Sequence, residues 1–217
     1  MKHDRLKKLC LPACLLAAFA LFTALVSRID VQPVGPNGSS VGFAPLNQFV
    51  HQHIGVHLPL YVLTDWLSLI PLGLAAGFAF LGLAQWVRRK SLLLVDRSLL
   101  ILGGFYLAVI AVYLLFEAFP VNYRPVLIDG QLEASYPSST TVLVLCVMVT
   151  SAMQLRARIK DAALRKPVVS AIAVFTAFMV LARLLSGVHW LTDILGGTLV
   201  SAGLIMLYHA AISISQP

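Results

Sequence analysis

Runs of apolar residues long enough to cross a bilayer alternate along this chain with short polar or basic stretches. Six such runs fall near residues 9–27, 60–86, 98–117, 139–155, 167–185 and 190–214. A helix needs ~20 residues to span a ~30 Å hydrocarbon core, so each run predicts one transmembrane helix. The longest interruption, 28–58, opens with Pro33, Gly35, Pro36, Asn37 and Gly38, which predict turns. Beyond them Phe43, Leu46, Phe49, Val50 and Ile54 recur at helical spacings and predict a short interfacial helix. The opening MKHDRLKK and its apolar run imitate a secretory signal. No small-x-small cleavage site follows, so the run is read as an uncleaved first span. The predicted fold class is an all-α integral membrane protein, with one membrane domain over 1–217.

The basic residues orient these spans. Lys2, Arg5, Lys7 and Lys8 precede the first; Arg88, Arg89, Lys90 and Arg97 separate the second from the third. Arg156, Arg158, Lys160, Arg165 and Lys166 separate the fourth from the fifth. With six spans these segments share one side, which the positive-inside rule makes cytoplasmic. Thirteen of the 16 Lys and Arg residues are thereby assigned to topology. The expectation is a protein of a bacterial cytoplasmic membrane, with both termini inside. The net charge of +7 is then a membrane signal, and no nucleic-acid partner is expected.

Composition narrows the function classes. The chain is 59% hydrophobic and 12% charged, with a mean hydropathy of +0.88. A soluble domain would be about half apolar and about a quarter charged, so a globular enzyme is excluded and any chemistry belongs at helix ends or in short loops. Cys10, Cys14 and Cys146 lie in apolar runs without redox or metal-ligand spacing.

Three stretches on the predicted outer side carry chemistry: Tyr123-Arg124-Pro125, Ser135-Tyr136-Pro137-Ser138-Ser139-Thr140-Thr141, and Arg183 through His189 to Asp193. If the last helix begins near His189, the i,i+4 spacing puts His189 and Asp193 on one face. A carboxylate bonded to one imidazole nitrogen fixes the tautomer and frees the other nitrogen to attack or take a proton. Arg183 adds a planar, permanently charged donor suited to phosphate oxygens. Pro137 suits helix entry, where Ser138, Ser139 and Thr140 cap the helix or bind an anion at its free N–H groups.

Arg124-Pro125, Pro137-Ser138 and Arg183-x5-His189-x3-Asp193 together resemble the signature motifs of the type 2 phosphatidic acid phosphatase (PAP2) superfamily, K-x6-R-P, P-S-G-H and S-R-x5-H-x3-D. The resemblance implies a six-helix PAP2-like bundle acting on a lipid phosphate or diphosphate. It makes His189 the nucleophile that forms a phosphohistidine and Asp193 its orienting partner. Arg124, Arg183 and Ser138 would hold phosphate oxygens, with Ser139 contributing a backbone N–H. It implies no metal and no organic cofactor.

Four positions depart from the pattern. Ala182 stands for the third motif's serine and Ser139 for the second motif's glycine. Glu117 occupies the first motif's lysine position. Thr140 occupies that of the histidine which, in the family, protonates the leaving group. General-acid help is worth ~10²–10⁴ in rate. Three accounts follow: a preference for diphosphates, whose leaving phosphate needs no proton; a substitute acid, with Glu133 first and Asp129 or Glu117 behind it; or a lipid-phosphate binder or transporter without hydrolysis. His51, His53 and His57 form H-x-H-x3-H but read as interfacial or structural rather than as a zinc site. Trp66 suits the aromatic belt, Asp65 a cap or a supporting role, and Gly196, Gly197 and Ser201 close helix packing.

Overall fold

The computed structural model describes residues 2–215, with side chains from Lys7 onward. Among the described residues eight α-helices follow one another: α1 Lys2–Val26, α2 Ala44–Ile54, α3 Leu58–Leu67, α4 Leu69–Arg89, α5 Arg97–Ala118, α6 Ser139–Arg158, α7 Ala162–Leu185 and α8 Leu191–Ser215. Six stretches among the described residues are long and apolar enough to span a bilayer, and they coincide with the six predicted runs. The protein is an all-α integral membrane protein.

The second span is two helices. The continuous apolar stretch Leu58–Arg89 has 32 residues, about 48 Å if straight, which exceeds a ~30 Å core. It breaks at Ser68, whose N–H reaches both Thr64 O and Asp65 O at 3.1 Å. Pro71, lacking an N–H, sits in the first turn of α4. The break leaves α3 as a separate piece over the end of the bundle that carries the three motifs.

The bundle is built around α6 and α8, the two most enclosed spans. α8 packs along α1 and α6. The ring of Phe105 of α5 packs tilted against that of Tyr208 of α8, 5.1 Å between centres. Two buried hydroxyls inside the spans donate to their own helix, as a low-dielectric interior favours: Thr150 donates to Cys146 O at 2.6 Å and Ser201 to Gly197 O at 2.6 Å. At the opposite, basic end, Asp96 is the hub. It accepts from Gln85 at 2.9 Å and lies 3.4 Å from Arg89 and 3.6 Å from Arg158. The Gln85 hydrogen bond, with Arg89 and Arg158, holds the Asp96 carboxyl below its usual range. Lys8 also reaches Ser213 O at this end, at 3.1 Å, so the basic segments gather as the charge pattern predicts.

Two elements at the site end differ from the sequence expectation. The predicted interfacial helix forms as α2, but it does more than lie at an interface. Asn47 of α2 is fully buried, donating to Thr192 Oγ1 at 2.9 Å and accepting from Thr192 N at 3.2 Å. In addition, α8 starts at Leu191, so His189 precedes the helix instead of sharing a helical face with Asp193.

Candidate active site

The corner between α7 and α8 sets the centre of the site. Gly187 adopts φ +69°, and a Cβ there would collide with the Gly55 carbonyl, so glycine is required on both counts. His51 approaches Gly187 O at 3.1 Å and so belongs to the support of this corner. His53 and His57 turn to Phe49 O and Ile54 O instead. Beyond Gly187, the buried imidazole of His189 places Nδ1 3.5 Å from Asp193 Oδ2. The turn, not helical periodicity, brings the pair together.

Asp193 is fully buried and held on both oxygens: Asn122 donates to Oδ1 at 3.2 Å and the Trp190 N–H to Oδ2 at 3.0 Å. On the other side of the ring, Arg124 Nη1 lies 3.4 Å from Nε2. A guanidinium only donates, so Nε2 is the acceptor and Nδ1 carries the proton toward Asp193. Burial first, then the charges of Arg124 and Arg183, pushes the His189 pKa well below its ordinary 6.5. The imidazole is neutral, with its lone pair on the nitrogen that faces the arginine.

Arg124 is delivered by a small hairpin that sequence analysis missed. Tyr123 pairs with Ala134 and Ile128 with Gln131, and Asp129 and Gly130 between them both have positive φ. Asp-Gly at two positive-φ positions is the signal for a two-residue hairpin turn. This pairing puts Glu133 across from Arg124: the Arg124 N–H donates to Glu133 O at 3.0 Å, and Arg124 Nε stands 2.9 Å from Glu133 Oε2. Asp129 lies at the exposed tip. Trp190 ties the hairpin to the corner through Nε1 to Tyr123 O at 2.7 Å.

Arg183 comes from the last turn of α7 and is 2% exposed. It donates to Thr64 Oγ1 at 3.1 Å and lies over the Tyr61 ring, 4.7 Å from its centre. Arg124 approaches the same ring at 5.6 Å. One tyrosine of α3 thus carries both guanidiniums, a cation–π arrangement that offsets their mutual repulsion. Ser138 is the N-cap of α6, accepting from Thr141 N at 3.4 Å, and its own N–H donates to Asp193 O at 3.1 Å. That bond joins the second motif to the third. Tyr136 is anchored to Thr23 of α1 at 2.8 Å, and burial pushes its phenol up to about 12. Gly196 packs against the Tyr136 ring and Gly197 against Ser138 and Thr141, the close packing expected of that pair.

Four buried polar atoms here have no hydrogen-bond partner among the described residues: Arg124 Nε, Arg183 Nε, His189 Nδ1 and Ser135 Oγ. The Arg124 and His189 atoms still face carboxylates, but off the hydrogen-bonding direction. Each buried unmet group costs about 1–3 kcal/mol, and two cations beside a neutral imidazole define an anion site. Next to it lies a cavity of about 390 Å³ between α3–α4, α5, α6 and the second motif. Ser139 and Thr140 open onto this cavity, and so do Asp65 and Glu117.

Residues 105–216 match the PAP2 superfamily. This chain belongs to the PAP2 superfamily. The PAP2 match spans Arg124, Ser138, Arg183, His189 and Asp193 and stops short of α1–α4, so Asn47, Tyr61 and Thr64 are additions from outside it. A solved structure of similar shape is described as the first transmembrane PAP2 type phosphatidylglycerolphosphate phosphatase from Bacillus subtilis. It is 20% identical, with a TM-score of 0.53 over 94% of this chain and 97% of that one. No curated protein matches. At the level of the family, membership and fold support a membrane lipid phosphatase.

Sequence reasoning also missed Asn47, Tyr61, Thr64, Asn122 and Thr192. The available signals were faint: Asn47 interrupts an apolar helical spacing, and Tyr61 and Thr64 are one turn apart at the entry of a span.

Proposed function

We propose that this protein hydrolyses or transfers the phosphoryl group of a lipid phosphate or diphosphate through a covalent phosphohistidine on His189. The observation that carries this reading is the neutral imidazole, backed by Asp193 and facing two buried guanidiniums with unmet N–H groups. In the first half-reaction Nε2 attacks phosphorus, the bond to the leaving oxygen breaks, and Asp193 stabilises the imidazolium. Arg124 and Arg183, with Ser138 and the N–H groups of Ser139 and Thr140, take the charge that builds on the equatorial oxygens. Water then attacks the phosphohistidine, or a second alcohol does so in transfer. By the positive-inside argument, this happens at the outer leaflet. Glu133, first in line as a substitute acid, has Oε2 2.9 Å from Arg124 Nε; we assign it to orienting that arginine.

The test is phosphate release from a panel of lipid phosphates by the purified protein in detergent, with acid-labile labelling of His189 by a ³²P-substrate. Release and labelling are expected in the parent and absent in His189→Ala, which removes the attacking nitrogen. Folded protein that releases nothing from any member overturns the reading. Thr140 and Glu117 favour a second reading, a non-catalytic lipid-phosphate binder or transporter. Binding that survives His189→Ala, with no turnover in the parent, supports it.

A further inference from the structure

A closed ring of buried hydrogen bonds stands behind Asp193, and four separate segments of the chain meet in it. The Gly42 N–H donates to Asn122 Oδ1 at 3.3 Å, and Asn122 Nδ2 donates to Thr192 Oγ1 at 3.4 Å. Asn47 Nδ2 reaches the same Thr192 oxygen at 2.9 Å and closes the ring on Gly42 O at 2.8 Å. A Cβ at Gly42 would strike Val26 O, so its backbone alone fits there. Gly42 and Asn47 lie outside the PAP2 match, whereas Asn122 and Thr192 lie within it. A backbone N–H only donates, so Gly42 fixes the oxygen of the Asn122 amide and turns its nitrogen the other way. The second hydrogen of that nitrogen leaves the ring and goes to Asp193 Oδ1 at 3.2 Å. The other carboxylate oxygen, Oδ2, meets the Trp190 N–H at 3.0 Å and His189 Nδ1 at 3.5 Å.

We infer that Asn122 is a positioning residue: aimed by this ring, its N–H keeps a proton off Asp193 Oδ1 and so holds the imidazole proton on Nδ1. The inference rests on the phosphohistidine reading and deepens it. With the proton on Asp193, His189 would turn to its other tautomer, and a protonated Nε2 has no lone pair for phosphorus. As Nε2 bonds to phosphorus the imidazole becomes a cation, and the same N–H steadies the carboxylate charge that faces it. The ionisable groups facing the pair are Arg124 from the hairpin, Arg183 from α7 and Tyr136 ahead of α6. Among the described residues none of these three hydrogen-bonds to Oδ1, so that task falls to the amide.

The experiment compares the parent with Asn122→Leu and Asn122→Asp, as full-length protein in detergent. Spectra of ¹⁵N-labelled histidine read the His189 tautomer, assigned by its loss in His189→Gln, and kinetics use one lipid monophosphate. Asn122→Leu is expected to lower kcat about tenfold to a hundredfold, the range for a hydrogen bond to a charged group. Its KM should stay within about twofold, because the guanidiniums that bind phosphate are untouched. Its His189 signals should move from the Nδ1–H toward the Nε2–H form. Asn122→Asp keeps the shape and the acceptor for Gly42, but it donates only while the two carboxyls share a proton. Its activity should therefore fall with rising pH over a range where the parent's is level. A parallel loss of kcat and affinity in Asn122→Leu, an unchanged tautomer, or an Asn122→Asp profile shaped like the parent's each overturns the inference. If Asn122→Leu fails to fold, the isosteric Asn122→Asp carries the pH and tautomer readouts alone. The spectra also separate this inference from the reading beneath it. A change of tautomer supports it even if no substrate turns over, and parent-like spectra reject it even if the phosphohistidine forms.

Discussion

At His189 the direction of the pKa shift dictates how the protein answers to acid. An unfolded histidine titrates near its ordinary value of about 6.5, while the folded one lies well below. Between those values the unfolded chain binds a proton that the folded chain refuses. The stability contribution is therefore complete above pH ~6.5 and is lost as pH falls below it toward the folded value. Thermal unfolding in detergent should show the parent losing Tm between pH 7 and 5 more steeply than His189→Gln. Equal slopes would count against a buried neutral imidazole. Tyr61 is the second residue with a specific consequence. Two cation–π contacts worth about 0.5–2 kcal/mol each rest on its ring, so Tyr61→Leu should raise KM about tenfold or more. Tyr61→Phe should keep most of the affinity. If Phe and Leu behave alike, the ring does not position the arginines.

Among the elements, the 122–135 hairpin and the α3–α4 break decide where the charges stand. Glu133 reaches Arg124 because the two are cross-strand neighbours, a relation invisible until the Asp129-Gly130 turn is recognised. Two roles for Glu133 make different predictions. As the orienter of Arg124, its replacement in Glu133→Gln lowers kcat/KM by a similar factor for aryl and alkyl phosphates. As a proton donor, it would matter for the alkyl ester and hardly at all for an activated aryl ester; a selective loss on the alkyl ester would restore it as the acid. The hydropathy pattern made the six spans legible because burial in hydrocarbon is read directly from side-chain type. The motif residues were legible because arginine, histidine and aspartate at those spacings carry phosphate-binding and imidazole-orienting chemistry that residue type alone records. Tyr61, Asn122 and Thr192 were not, because their roles depend on which loop meets which helix, and no local periodicity records that.

For the whole molecule, the gathering of α1, α4, α5, α6 and α8 ends at the basic side predicts topology. In a background without Cys10, Cys14 and Cys146, Lys90→Cys and Lys160→Cys should resist an impermeant thiol reagent in intact cells, while Asp129→Cys at the hairpin tip should react. Labelling at position 90 or 160 would invert the orientation. The buried link between Asn47 and Thr192 has a further consequence, for the timing of synthesis. It joins positions 145 residues apart, from the loop behind the first span to the start of the last, so this closure of α2 waits until the start of α8 leaves the ribosome. A chain halted after α7 displays Arg124 and Arg183 but lacks the imidazole and its carboxylate. On the proposed phosphohistidine mechanism such a chain has no nucleophile to offer the lipids around it, and the nucleophile arrives in the same step that seals the bundle.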